Sequence, residues 1–408
     1  MPTTSDERER LLRALALATF IIFFQAYMVA PIIPVLSTSF GTSVQATGVI
    51  VPAYLIPYGV TVLAFGLLAD RIGIQRLIFA SLAMFAVLTA LTAGAQSIGQ
   101  LTLWRTLTGL GASGVVPLAL VLIGSLYPYE QRGRPLGWLF GAMAGGMAFG
   151  STFGAVLEPL LGWRGLFVLV ALAAVGVFVV LLLHRSLISS TRKAVPETMG
   201  ELFLGYRDLI GTPRGQRTYG YVFVNSIFHS GVFTWLGVYF EQRYGLGPVG
   251  IGVALLGYGI PGFLFGPLIG RAADRWGRAR LLPIGLGLGA LGAATLIFNG
   301  PLILAIVAVT VLSLGYDMTQ PLFGGIVTAL GGKRPGQAMG LNVFALFAGF
   351  GVGSLLFGEA LRLGFGMALG IFVMVQALAT ALSIGWFSAE IPLSSAPEEA
   401  NTRAEGIH

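Results

Sequence analysis

The sequence predicts an all-α membrane protein with twelve transmembrane helices in two pseudo-symmetric six-helix halves. Charge is the first reason: of 408 residues only 24 are Lys or Arg and 17 are Asp or Glu, 10% in all, against roughly 25% in a soluble domain. Apolar length is the second. Leu77 to Trp104 runs 28 residues without a charge and Leu281 to Tyr316 runs 36, whereas about 20 residues cross a hydrocarbon core of roughly 30 Å. The third is a repeat at half the chain length. Gly66 to Leu77 reads GLLADRIGIQRL and Gly270 to Leu281 reads GRAADRWGRARL, identical at seven of twelve positions with an offset of 204. Such a repeat signals two parallel halves.

Charges, prolines and turn residues bound each span. Six are predicted at 14–36, 46–68, 77–96, 100–126, 135–157 and 163–184, and six more at 218–240, 249–270, 280–298, 302–328, 336–360 and 364–388. Asn299-Gly300-Pro301 cuts the longest apolar run in two, because this tripeptide favours a turn. The stretch after the charged Met1 to Arg13 lacks the short apolar core and small-residue cleavage site of a signal peptide and is read as a retained span. One long hydrophilic interruption yields three parts: an N-terminal bundle (1–184), a cytoplasmic linker (185–217) and a C-terminal bundle (218–408). Lys and Arg of short loops stay on the cytoplasmic side. With the N-terminus inside, 20 of the 24 basic residues fall on that side, Arg164, Arg243 and Arg362 fall outside, and Arg105 lies within a span. Both termini are therefore expected in the cytoplasm, and the compact loops suit a bacterial inner membrane.

The composition also excludes. A net charge of +7 does not make a nucleic-acid binder when the basic residues are dispersed over alternate loops instead of gathered on one face. The chain has no cysteine and only His184, His229 and His408, so no metal site, cofactor site or nucleophile–base cluster is expected, and no catalysis.

With these residues in view, the chain resembles a transporter of the major facilitator superfamily over essentially its whole length. The repeated loop carries the resemblance: Gly66, Asp70, Arg71, Gly73 and Arg76, then Gly270, Asp274, Arg275, Gly277 and Arg280. Arg105-Thr106-Leu107-Thr108-Gly109 with Gly111 and Ser113 is similar to the family's fourth-helix motif, with Thr108 where Gln is usual. Pro31-Ile32-Ile33-Pro34 resembles the drug and metabolite antiporter branch. So does the fifth-helix glycine run Gly146, Gly150 and Gly154, although Ser151 and Ala155 replace the usual proline and glycine. The resemblance implies a cytoplasmic latch in which Asp70 and Asp274 reach a helix N-terminus of the other half. It also implies a central cavity lined by spans one, four, seven and ten, giving the wall candidates Gln25, Tyr27, Arg105, Ser113, Asn225, His229, Trp235, Tyr316, Asp317 and Gln320. From spacing alone, Gly146, Gly150 and Gly154 share one helix face and permit close helix packing, static or moving.

Ionisable groups inside an apolar span are costly and carry most of the functional weight. Three lie well inside: Arg105, His229 and Asp317. Asp317 is the leading proton carrier, since desolvation disfavours its anion. His229 is the second, and Arg105 either tunes an acid, binds an anion or pairs with helix-end carbonyls. The expected function is secondary active transport, as proton-coupled export of a small organic molecule by alternating access. Alternatives are a symporter or facilitator importing a metabolite or small anion, and a sensor derived from a transporter. Expected partners are the substrate, protons and membrane lipid; no nucleic acid is expected, and the protein is read as a monomer.

Overall fold

A computed structural model describes residues 5–127, 133–185, 188, 199–261, 264, 268–269, 272, 275–332 and 334–390. All regular structure among them is helical. The first half contains α1 (Ser5–Tyr27), a 3-10 turn (Ala30–Ile32), α2 (Ile33–Phe40), α3 (Val44–Gly48), α4 (Pro52–Ile72), α5 (Ile74–Ala93), α6 (Ile98–Ala112), α7 (Val115–Leu126) and α8 (Gly133–Leu183). After α9 (Met199–Gly211) the second half follows: α10 (Pro213–Thr234), α11 (Leu236–Tyr244), α12 (Pro248–Ala254), α13 (Arg278–Thr295), α14 (Leu302–Gly331), α15 (Pro335–Ala360) and α16 (Phe365–Trp386). Eight helical segments among the described residues are long and apolar enough to cross a membrane, and one of them, Arg134–Leu183, holds 50 residues and makes two passes. Span seven (α10–α11) and span nine (α13) follow, and span eight is described in part, from α12 to Pro261, in keeping with twelve. Exposed Leu169, Leu172, Met374 and Leu378 give these helices the outward apolar surface that lipid requires.

Several spans differ from expectation in detail. Span one begins at Ser5, breaks between Tyr27 and Ala30 and continues to Phe40, because Pro31 and Pro34 cannot donate to the preceding turn. Spans five and six form one helical run, turned at Gly162 with φ 66°. Span seven breaks at Trp235, whose indole N–H donates to the Ser354 carbonyl at 3.0 Å. Helix α9 and the first turn of α10 lie within the stretch expected to be linker.

The two halves repeat each other in backbone conformation. Gly41 and Gly245, which end α2 and α11, both take left-handed φ values, 60° and 65°. Gly73 and Gly277 turn the repeated loop at φ 95° and 80°, a region open to glycine without strain.

Packing repeats as well. A Cβ added at Gly146, Gly150 or Gly154 of α8 would lie 2.6, 2.6 and 2.7 Å from the carbonyl oxygens of Phe20, Phe24 and Met28, so α1 and α8 touch backbone to backbone along three turns. In the second half, Gly349 and Gly353 of α15 meet the Phe223 and Ile227 carbonyls of α10 at 2.6 and 2.1 Å. Both ladders hold one half together internally.

The seam between the halves is tight away from the face that bears most Lys and Arg, called the basic face below. At the far face, Gly237 packs on the Pro31 backbone and the Trp235 ring fills the space over Gly48 and Gly358. On the basic face, α9 bridges the halves: the Tyr206 hydroxyl donates to the Leu63 carbonyl at 3.1 Å, and Arg334 lies 3.6 Å from Asp208.

Candidate functional site

Helix α10 carries Asn225, His229 and Phe233 at four-residue spacing, along one face. Toward the basic face, Asn225 Nδ2 donates to Thr319 Oγ1 at 2.9 Å and its Oδ1 accepts from Gln376 Nε2 at 3.0 Å. One turn on, His229 stacks on Tyr316 with ring centroids 3.6 Å apart, and its Nε2 shares a short hydrogen bond with the Tyr258 hydroxyl. Its Nδ1 is buried without a partner. Another turn on, Phe233 stacks on Tyr258 at 4.1 Å and lies 5.5 Å from Tyr27. Tyr27 belongs to the first half, so the aromatic cluster straddles the seam. Phe350 completes it, 5.9 Å from Tyr316 and 6.5 Å from Tyr27.

Asp317 adjoins this cluster at the middle of α14, 15 residues after Leu302 and 14 before Gly331. Its Oδ2 accepts from Ser313 Oγ at 3.0 Å, and the same Oγ accepts the Gly259 N–H at 2.8 Å. Gly259 has φ +77°, and a Cβ there would come within 2.6 Å of Ala148 Cβ on α8. One hydroxyl therefore ties the carboxyl to the non-helical turn after α12, where the eighth span touches the other half. Asp317 lies within electrostatic reach of Tyr27, Tyr258 and Tyr316.

Arg105 is fully buried in the first half. Its Nε donates to the Ile50 carbonyl at 3.2 Å, Nη1 to Gln25 Oε1 at 2.7 Å and to the Gln25 carbonyl at 3.2 Å, and Nη2 to the Ala26 carbonyl at 3.4 Å. The guanidinium lies 4.4 Å from the centroid of the Tyr54 ring. These acceptors sit beside the break in span one and at the start of span two, where carbonyls lack intrahelical donors. Of the roles open to it, the geometry therefore gives Arg105 the pairing with helix-end carbonyls, stitching three spans. Arg105→Ala is expected to lower the thermal unfolding midpoint in detergent by the equivalent of about 3 kcal/mol, since each orphaned buried acceptor costs roughly 1–3 kcal/mol. An unchanged midpoint with lost transport would place Arg105 on the substrate instead.

Other wall candidates divide between seam and interior. Tyr27, His229, Tyr316 and Asp317 come together; Gln25 is held by Arg105. Asn225 is turned into the second bundle. Ser113 is buried at the α6–α7 junction, donating to the Leu110 carbonyl at 2.7 Å. Trp235 packs in the far-face seam, and Gln320 is partly exposed with its Nε2 unpartnered. In the repeated loop, Gly66 lies within α4, Arg71, Arg76, Arg275 and Arg280 are exposed, and Gly73 and Gly277 make the turns. The latch expected of Asp70 and Asp274 falls on the Asp70 side chain and on residues 270 and 274, which lie outside the described residues. Tyr258, Ser313, Phe233 and Phe350 escaped the sequence reading. Gly257-Tyr258-Gly259-Ile260-Pro261 was a legible breaker inside an apolar span, the arrangement that marks binding sites in many transporters.

The model of the Major Facilitator Superfamily matches residues 15–354 and 222–407. The chain belongs to the major facilitator superfamily. This transporter is 26% identical over 346 residues to the uncharacterized MFS-type transporter YwfA of Bacillus subtilis, a match covering 85% of this chain and 84% of the relative. Two solved structures share its fold. One is a D-xylose–proton symporter (TM-score 0.73, 17% identity, 92% of this chain and 96% of the other). The second is a bacterial homologue of the human lysosomal transporter Spinster in an inward-facing, unoccupied conformation (TM-score 0.72, 16% identity, 95% and 96%). It is thus an integral membrane transporter and no enzyme.

Proposed function

We propose that this transporter exports a small organic molecule in exchange for protons, by alternating access at the seam between its halves. Asp317 carries the reading: a carboxyl in mid-span, beside an aromatic cluster drawn from both halves and joined through Ser313 to the non-helical turn of span eight. The Ser313 hydroxyl holds the carboxyl in place, and a carboxyl can carry a proton and a charge in turn. An external proton occupies Asp317, substrate leaves outward, and release of that proton inside resets the carrier. Tyr27, Phe233, Tyr258, Tyr316 and Phe350 suit a substrate with an apolar or planar body, and His229 is the second proton-carrying group. The basic face and both termini lie in the cytoplasm of a bacterial inner membrane, and the unit is a monomer.

In everted vesicles holding an acid interior, adding a transported compound is expected to dissipate the pH gradient. A broad panel of drugs and metabolites that leaves the gradient intact, with the protein correctly inserted, contradicts the proposal. A second reading, import by symport, draws on the proton symporter among the solved neighbours. Its version with Arg105 as counter-charge to an anion is weakened by the carbonyls and amide that already engage that guanidinium. Opposite directions of coupled flux separate the two readings.

A further inference from the structure

On the basic face, the ends of α10, α13, α14 and α16 border an open cavity of about 1060 Å³ whose lining includes Arg214, Gln216, Arg217, Arg278, Trp386 and Glu390. One carboxylate there faces three guanidiniums. Glu390, 8% exposed, accepts Arg214 Nε at 2.8 Å and Arg217 Nη2 at 2.7 Å on Oε1, and Arg214 Nη2 at 2.7 Å on Oε2. Burial pushes its carboxyl up, but hydrogen bonds from Arg214 and the charges of Arg214, Arg217 and Arg278 outweigh that and hold it below the usual carboxylate range. The Ala279 N–H donates to the Glu390 carbonyl at 3.1 Å, pinning the end of α16 to the start of α13. Arg217 is further engaged by the Trp386 carbonyl and by the Phe387 ring, 4.6 Å below its guanidinium.

Arg278 is different. It makes no hydrogen bond or close ion pair among the described residues, and its Nε is buried. Its guanidinium lies against Gly325 of α14, where an added Cβ would meet Nη2 at 2.8 Å and Nε at 2.9 Å. An arginine that serves only to set topology extends its head into water; this one lies flat in space left by a missing side chain. With Glu390 subtracted from three arginines, the described lining carries a net charge of +2.

We propose that this cavity binds a phosphate ester, held by the Arg278 fork with the free Nη1 of Arg214 and the Gln216 amide. Guanidinium matches phosphate in shape as well as charge, taking two oxygens at once. The phosphate comes either from a lipid headgroup or from a soluble molecule. Half-exposed Trp386 at the rim suits the lipid interface, and basic pockets between transmembrane helices take headgroups.

The full-length protein in neutral detergent would be titrated with dioctanoyl phosphatidylglycerol, with inorganic phosphate alone, and with dioctanoylglycerol, which has the chains without the phosphate, as a control, reading the thermal midpoint. Saturable stabilisation by phosphatidylglycerol alone assigns the site to lipid, and by inorganic phosphate as well to soluble phosphates. In both cases Arg278→Gln is expected to weaken binding on the order of tenfold or more. Gly325→Ala, which displaces only the flexible guanidinium, is expected to weaken it without changing charge. Arg207→Gln, an exposed arginine on α9, leaves binding unchanged. Binding by neither probe, or binding that survives both Arg278→Gln and Gly325→Ala, overturns the proposal.

Discussion

Gly150→Val and Gly353→Val are each expected to abolish recovery of folded, monodisperse protein. Both positions lie where one helix backbone rests on another. An added Cβ sits 2.6 Å from the Phe24 carbonyl oxygen in the first case and 2.1 Å from the Ile227 carbonyl oxygen in the second. No rotamer relieves a clash between Cβ and backbone, so the helices must separate. Separation strips the close contacts that hold membrane helices together, where lipid is as apolar as the helix and small residues make the interface. Overpacking a core costs about 1–3 kcal/mol, and a backbone ladder has no side chain to yield, so the cost lies above that range. Gly141→Val is the control, because nothing lies within 4 Å of a Cβ there. Fluorescence-detected size exclusion would show a lost monodisperse peak for the two ladder variants and a normal one for the control. Wild-type peaks for all three would contradict the packing.

Much of this architecture is legible in the chain itself. Charge-free runs mark the spans, and the loop repeat marks the halves. The glycine spacing of α8 shows a packing face, yet the matching ladder in α15 hides behind substitutions: Gly146, Gly150 and Ser151 correspond to Gly349, Gly353 and Ser354, while Gly154 corresponds to Phe357. Only the shared partners on α1 and α10 reveal the relation.

The breaks are legible where their cause is local. Pro31 and Pro34 interrupt span one, and Tyr258-Gly259 with Pro261 interrupts span eight. The break at Trp235 has no such cause, since the Ser354 carbonyl that holds the indole is 119 residues away.

Helix phase was the larger obstacle at the site. A span that is apolar on every side carries no amphipathic signal to tell seam from bundle interior. Hence Asn225 and Ser113, placed by resemblance on the cavity wall, turn into their own bundles, while Phe233 and Phe350 reach the seam unannounced. Arg105 stands out as a charge in a span, but three of its four hydrogen bonds go to backbone carbonyls, which leave no mark on a sequence.

Replacing Asp317 with asparagine tests the central claim most directly. Asparagine keeps the shape of the side chain and an oxygen to accept the Ser313 hydroxyl, but it carries no proton. Any effect on coupling is thereby separated from the tie between α14 and the turn after α12. In reconstituted vesicles, Asp317→Asn is expected to exchange labelled substrate across the membrane within a few-fold of wild type, while uphill transport driven by a pH gradient and substrate-triggered proton flux are lost, because asparagine carries no proton. A variant that still moves protons with substrate at the wild-type rate would contradict the account and pass the proton to His229.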